Sequence, residues 1–311
     1  MKIPFERTIA ASYRFAFSNI LSVIGIAWFP YLLLIAVGAG AIYLCGPQIY
    51  AVITAVQAGS KPDPAKLQAL FRSIAPIYGI ILPVALVTSA MVTVGTVRKA
   101  LGLHPGPVFV FFSLGGAVWR LIGAYILMIV LFYGLAIVSA AAVAAVWFVL
   151  HRYAPEAEGI VTVLLAIVAV CFCIYAVVRT SFLLPAVVVA ENHIGIRRSW
   201  HLGRGNFWRI VGILLLIYIP VAFAVSTITS SVLQLFLGPS MGLPTGASSP
   251  AEMQAALKAM LNGFMRAAPY YAAIQLVQLI LLSGLTAGAV ASAYQSVTES
   301  AKASPDLKAS A

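Results

Sequence analysis

The sequence predicts an all-α integral membrane protein with six transmembrane helices, and its composition and hydropathy pattern support this fold class. Of the 311 residues, 62% are hydrophobic and only 9% are charged, whereas soluble domains average roughly 25% charged residues. The mean hydropathy is +1.02. Such a chain lacks the polar side chains that a soluble fold of this size needs on its surface, so we expect it to lie in a membrane.

The transmembrane helices are predicted from apolar runs of the roughly 20 residues that are needed to cross about 30 Å of hydrocarbon. The first run is longer than the core of a signal peptide and follows about nineteen other residues, so we predict a spanning helix rather than a cleaved leader. An even number of spans places both termini on one side. The predicted spans cover residues 20–44, 74–97, 121–150, 160–187, 209–236 and 269–296.

Basic residues are distributed unevenly between the two sides that these spans define. Thirteen of the 19 Lys and Arg residues fall on the side of the termini and six on the other. The positive-inside rule therefore predicts a multi-pass protein of the bacterial cytoplasmic (inner) membrane with both termini in the cytoplasm. The net charge of +11 then indicates topology and attraction to anionic lipid, and no nucleic-acid partner is predicted.

Similar stretches precede the odd-numbered spans, and they predict an internal repeat. Trp119-Arg120 aligns with Trp208-Arg209, and three glycines align in the segments SNILSVIG (18–25), GAVWRLIG (116–123) and GNFWRIVG (205–212). We predict three parallel helical-hairpin repeats, each preceded by a cytoplasmic interfacial helix, with units of about 1–97, 105–190 and 193–298. Together they form a single six-span membrane domain, 1–298, followed by a disordered cytoplasmic tail, 299–311.

Proline-containing segments on the opposite side, DPAKLQAL (63–70) and SPAEMQAA (249–256), also resemble each other. Each is predicted to start a helix, with Asp63 or Ser249 as its cap and a proline in its first turn.

The segment RRSWHLGRGNFWRIVG, 197–212, combines an apolar stripe with a basic face. We predict that it lies flat on the cytoplasmic surface, with Trp200 and Phe207 at the acyl boundary and a bend at Gly203 and Gly205. Its arginines would face anionic headgroups. The residues predicted at the lipid interface are Arg179, Arg197, Arg198, Trp200, Arg204, Trp208, Arg209, Trp119 and Arg120.

Arg179 is the ionisable residue closest to the interior of a predicted span, the fourth. Two interpretations remain open, an arginine that snorkels or pairs with a carbonyl and an arginine that binds a headgroup. Pro185, six residues later, predicts a kink.

Polar residues in the last two spans form a second candidate feature. They are predicted either to join the two helices by hydrogen bonds or to line a solute pathway. The residues of this polar patch are Ser226, Thr229, Gln234, Gln275 and Gln278.

The acidic residues, Ser240 and the cysteines do not form the pattern of a catalytic or metal-binding site. All eight acidic residues fall in loops or at helix ends, which argues against ion-coupled transport. The motif GPSMG around Ser240 resembles a nucleophile elbow but lacks the strand that this motif follows. The three cysteines match no disulfide framework or zinc spacing. Neither a catalytic site nor a metal or cofactor is predicted.

The segment RTSFLLPAVVVAENHIGIRRSWHLGRGNFWRI, 179–210, resembles the membrane domain of some glycerophosphoryl diester phosphodiesterases and its free-standing bacterial relatives. The resemblance rests on Arg179, Pro185, Glu191, Ser199, Trp200, Gly205 and Trp208, in that order and spacing. It implies a non-catalytic membrane module, because in that family the hydrolase chemistry belongs to a separate domain.

Taken together, these features predict a non-enzymatic polytopic protein that engages anionic lipid or another envelope protein. A transporter or channel for a small or amphiphilic solute is the alternative.

Overall fold

The computed structural model describes residues 2–57, 64–104, 113–238 and 250–303, and every regular element in these ranges is a helix. In chain order the helices are α1 (Phe5–Ser18), α2 (Ile20–Gln57), α3 (Pro64–Ala100), α4 (Gly116–Tyr153), α5 (Pro155–Ser181), α6 (Leu184–Glu191), α7 (Ile196–Leu202), α8 (Phe207–Leu237) and α9 (Pro250–Ala303).

In the described part of the chain, six segments are long and apolar enough to cross a membrane, which agrees with the predicted number of spans. The fourth of them combines α5 and α6, and the short helices α1 and α7 lie outside the spans. The six segments are Ile20–Ala41, Ala75–Ala100, Gly116–Tyr153, Pro155–Glu191, Phe207–Leu237 and Asn262–Glu299.

The proline-containing segments that were expected to form outer helices merge with the spans that follow them. α3 begins at Pro64 and α9 at Pro250, and both run without interruption into the membrane-spanning part. Proline suits the first helical position because its missing N–H group would have no partner there anyway. The predicted caps Asp63 and Ser249 lie outside the described residues, as does Ser240.

α9 continues to Ala303, past the boundary at 299 that was predicted for the start of the tail. α1 and α7 lie at the two sequence positions where interfacial helices were predicted before the first and third repeats. The one predicted before the second repeat falls largely on 105–112, outside the described residues.

The fourth span is interrupted between Ser181 and Leu184, next to the predicted kink at Pro185. Proline has no N–H group to continue the helical hydrogen bonds of α5, so the chain makes a turn and restarts as α6. Six of the eight residues of α6 are buried, and α6 contacts α3, α4 and α9. This short apolar helix therefore forms part of the centre of the core.

α1 packs closely across α8 and α9. A Cβ atom added at Gly288 of α9 would lie 2.9 Å from Ser12 Cα, and one added at Gly212 of α8 would lie 2.7 Å from the Phe5 ring. The Ser12 hydroxyl also donates a hydrogen bond of 2.5 Å to the carbonyl of Leu285. The glycines permit this approach, so α1 is docked on the bundle along much of its length.

The α4–α5 hairpin stands at the periphery of the bundle. In the most apolar part of the two corresponding spans, 0% and 6% of the residues are buried within the protein. Only the first turns of α4 and the last turns of α5 join the core. Most of the hairpin surface is therefore apolar and available to lipid.

Candidate functional site

One end of the bundle carries most of the charged residues, and we call it the basic end. Because consecutive spans alternate in direction, the start of α1, the end of α3, the starts of α4 and α8, and the ends of α5 and α9 all meet there. α6 and α7 lie at the same end. All the residues predicted at the lipid interface therefore come together in this region.

Arg179 lies inside the protein at this end and is only 7% exposed. Its Nε donates to the Trp200 carbonyl at 3.1 Å and its Nη1 donates to the Tyr175 hydroxyl at 2.7 Å. The guanidinium also lies 3.8 Å from the centre of the Trp200 ring, where it makes a cation–π contact. This position matches the carbonyl-paired interpretation, and it leaves little surface for the headgroup contact that was the other interpretation.

Trp200 is held in the same cluster and only partly faces the surroundings. Its ring meets Tyr175 edge to face at 6.0 Å, and Tyr175 in turn lies 5.1 Å from Phe207. The apolar stripe of the basic segment is therefore directed largely against α5, whereas the sequence suggested insertion into the acyl boundary.

The docking of α7 on α5 depends on small side chains. A Cβ atom at Gly203 would lie 2.6 Å from the carbonyl oxygen of Arg179. The buried Ser199 hydroxyl donates to the Thr180 carbonyl at 2.6 Å. Gly205, with a φ of +75°, lies in the break between α7 and α8, so the predicted interruption of the helix is confirmed.

Glu191 connects three helices at the basic end. Its Oε1 accepts hydrogen bonds from Arg198 Nε at 3.3 Å and from the Tyr294 hydroxyl at 3.0 Å. α6, α7 and α9 therefore meet at one carboxylate. Arg198 differs from the expectation, because it pairs within the protein although it was predicted to face headgroups.

The aligned Trp-Arg pairs have the same pattern of exposure. Trp119 is 57% exposed and Trp208 is 81% exposed, while the arginine that follows each is half-buried. Arg120 donates to the Asn192 side chain, and Arg209 Nη1 donates to the Ile3 carbonyl at 2.6 Å. Both arginines thus join the start of a span to another segment.

Both backbone polar groups of Ile3 form hydrogen bonds that hold the N-terminal segment in place. The Ile3 carbonyl accepts a hydrogen bond from Arg209, and the N–H of this buried residue donates to Asn206 Oδ1 at 2.9 Å.

Four of the residues predicted at the lipid interface are exposed and form no ion pair in the described part of the chain. They are Arg197, Arg204, Trp119 and Trp208. We call these four residues the exposed basic surface.

The predicted polar patch does not form a connected cluster in the described residues. Ser226 donates to the Phe223 carbonyl of its own helix at 2.9 Å, and Gln234 is exposed. The Thr229 hydroxyl is buried and has no hydrogen-bond partner there, while Gln275 and Gln278 are half-buried. Across the described parts of α8 and α9, no hydrogen bond joins patch residues of the two helices.

A partly open cavity of about 890 Å³ lies between the helices of the bundle, and residues from all six spans line it. We call it the central cavity. Its walls are mostly apolar, with hydroxyl groups and no charged side chain among the lining residues. The hydroxyl-bearing lining residues are Tyr31, Ser89, Thr93, Thr96, Tyr125, Ser181, Tyr218, Ser283 and Thr286.

Some of these hydroxyl groups form hydrogen bonds with one another or with backbone carbonyls. The Ser283 hydroxyl donates to the Leu279 carbonyl at 2.6 Å, so the Tyr31 hydroxyl, 2.7 Å away, donates its proton to Ser283.

The cavity was not predicted from the sequence. The available signal was the spacing of Ser89, Thr93 and Thr96, which places three hydroxyls on one face of α3.

In the described residues there is no cluster of three or more side chains suited to a metal ion. Comparison with known protein families, characterised proteins and solved structures finds no match to this chain. The fold and the site define the class of this chain as a polytopic α-helical membrane protein with a partly open cavity between its spans.

Proposed function

We propose that this protein is a non-enzymatic membrane protein that binds an amphiphile, and that a membrane lipid occupies the central cavity. The observation that carries the proposal is the cavity itself. Its volume of about 890 Å³ lies in the range of roughly 300–1,000 Å³ that is typical of small-molecule sites. Apolar walls suit an acyl chain, and the hydroxyl groups suit the ester or hydroxyl groups of a lipid.

The position of the cavity along the bundle supports a lipid as its occupant. On α9 the lining residues run from Leu279 to Val290, a rise of about 16 Å, and on α3 they run from Ser89 to Val97. Val97 lies next to Arg98 at the basic end. The cavity therefore extends over about half of a 30 Å hydrocarbon layer, which is the depth of one leaflet.

The exposed side chains around the cavity indicate where a lipid would enter. Ile174 of α5 and Leu215 and Tyr218 of α8 line the cavity and are each about half exposed. The wall between α5 and α8 is therefore incomplete. Since both helices belong to membrane spans, this gap gives the acyl region of the bilayer direct access to the cavity.

The test is to fill the cavity and count the lipid that remains with the purified protein. Leu214→Trp places a larger side chain in the cavity wall, whereas Ile219→Trp adds the same side chain to the outer face of α8. We expect Leu214→Trp to lower the amount of co-purified lipid while Ile219→Trp leaves it at the wild-type value. Equal lipid content in both variants, with both folded by circular dichroism, would refute the proposal.

Transport of an amphiphilic solute is a second candidate function, and it is supported by the contribution of all six spans to the cavity wall. The predicted polar patch does not support it, because the cavity uses other residues. In proteoliposomes, movement of a fluorescent lipid between leaflets that Leu214→Trp abolishes and Ile219→Trp preserves would favour transport. Lipid binding without such movement would favour the first function.

The exposed basic surface supports an additional contact with anionic lipid at the same end. Tryptophans are typical of the membrane interface, and an exposed arginine near an anionic surface contributes about 1 kcal/mol of attraction. The positive-inside rule supports a cytoplasmic location for this end in a bacterial inner membrane.

A non-catalytic role agrees with the resemblance to the membrane domain of glycerophosphoryl diester phosphodiesterases. The arrangement in three parallel repeats is likewise a proposal, and the matching exposure of the two Trp-Arg pairs supports it. Another envelope protein is the alternative partner, and the apolar surface of the α4–α5 hairpin is the place we propose for it.

A further inference from the structure

A second cavity, of about 400 Å³, lies between α1 and α9 at the basic end. We call it the α1–α9 cleft. It shares no lining residue with the central cavity. Its polar lining residues are Arg7 and Arg14 of α1 and Ser292 and Gln295 of α9.

The two arginines bracket the cleft. They are seven residues apart on α1, so they lie on one face and are separated by about 10 Å along the helix axis. Ala10 and Ala11 lie between them and also line the cleft. Small side chains therefore form the floor, and a guanidinium group stands at each end.

The charge of these arginines is not neutralised within the protein. Both are exposed, and neither forms an ion pair or a side-chain hydrogen bond in the described ranges. The ion pairs found there all use Glu158 or Glu191. At the neighbouring end of α3, the carbonyls of Val97, Arg98 and Lys99 accept hydrogen bonds from residues 101–103, so they are already occupied.

The walls of the cleft are held in place. Gly288, which lines the cleft, lies so close to α1 that a Cβ atom there would be 2.9 Å from Ser12 Cα and 3.0 Å from Phe15 Cβ. The hydrogen bond from Ser12 to Leu285 fixes the same pair of helices. The helix backbones that carry the two arginines are therefore fixed before a ligand binds, so binding orders only the arginine side chains.

We propose that the α1–α9 cleft binds the phosphate group of an anionic phosphoester. A guanidinium group donates paired hydrogen bonds to phosphate oxygens, and the Ser292 hydroxyl and the Gln295 amide add neutral donors. The lining residues include no carboxylate that would repel the anion. The same chemistry is offered by a phospholipid headgroup and by a soluble phosphoester, and the position at the basic end favours the headgroup.

The experiment uses the full-length protein in mild detergent, with two probes measured separately. One probe is phosphatidylglycerol, detected as a protein–lipid complex by native mass spectrometry, and the other is glycerol phosphate, detected by calorimetry. The variant Arg7→Gln/Arg14→Gln removes both cleft cations. We expect it to bind the recognised probe at least tenfold more weakly, since the variant loses the charge-assisted hydrogen bonds of both guanidinium groups.

Matched variants separate specific binding from general charge. Arg72→Gln/Arg152→Gln removes two exposed cations from the opposite end and should leave binding unchanged. Ala11→Leu keeps both cleft arginines but occupies the floor, so it should weaken binding as well.

Binding of phosphatidylglycerol alone assigns the site to a lipid headgroup, and binding of glycerol phosphate assigns it to a soluble ligand. The proposal is overturned if the wild-type protein binds neither probe, or if Arg7→Gln/Arg14→Gln binds as the wild type does. Because Leu214 is not part of the cleft, this result is independent of the central-cavity test.

Discussion

The enclosure of Arg179 leads to a prediction about the variant Arg179→Leu. The change removes two hydrogen bonds from a charged group, worth about 1.5–3 kcal/mol each, and a cation–π contact worth about 1–2 kcal/mol. Removing the charge also recovers several kcal/mol of desolvation. We therefore expect a net loss of about 2–4 kcal/mol in the docking of α7 on α5.

Hydrogen exchange of the full-length protein in lipid nanodiscs measures the loss of docking energy in the segment that contains α7. A docking energy lower by 2–4 kcal/mol increases the population of the undocked state by about 30- to 1,000-fold. Exchange should accelerate in residues 196–206 and stay unchanged in α9. Arg204→Leu is the matched control, because Arg204 is exposed and its side chain makes no hydrogen bond in the described residues.

Equal exchange rates in Arg179→Leu and Arg204→Leu would refute this reasoning. Such a result would mean that the guanidinium contributes no more to the docking of α7 than an exposed arginine does. Acceleration spread over all helices would instead show that Arg179 supports the whole bundle.

Two other predictions follow from the packing and the charge distribution. Gly288→Val should lower the free energy of unfolding by about 1–3 kcal/mol, because the valine side chain would collide with Ser12. Gly38→Ala should not be destabilising, because a Cβ atom at Gly38 meets nothing within 4 Å. In a cysteine-free background, Leu103→Cys should be protected from an impermeant thiol reagent added outside intact cells, and Tyr153→Cys should react. The reverse labelling pattern would contradict the positive-inside assignment.

The number of spans was predictable from the sequence because hydropathy over 20 residues reports length and polarity directly. The interruption of the fourth span was predictable for a local reason, since Pro185 lacks the donor that a continuous helix needs. The interruption of the helix at Gly205 was likewise encoded in a residue that tolerates positive φ.

The partners of the arginines were not predictable, because they depend on contacts between segments that are distant in sequence. Arg209 bonds Ile3, 206 positions away, and Arg179 meets Trp200 only because Gly203 lets α7 approach α5. Amphipathic periodicity identified the basic face correctly but did not distinguish arginines that bind the protein from those that face outward.

The central cavity was missed for a related reason. Sequence position gives the depth of a polar residue in the membrane, but the direction in which a helix face points is determined by neighbouring helices. The sequence therefore indicated a polar patch that includes Ser226 and Thr229, whereas the hydroxyl groups that line the cavity include those of α3 and α9.

The contrast between the α4–α5 hairpin and α6 has a consequence for how this sequence can change during evolution. Lipid chains adapt to the shape of the hairpin surface, so exchanges among apolar residues there cost little as long as hydropathy is kept. Six residues of α6 are enclosed by other helices, where truncating a leucine typically costs about 2–5 kcal/mol. We therefore expect the hairpin to diverge rapidly among descendants of this gene while the six buried residues of α6 change slowly.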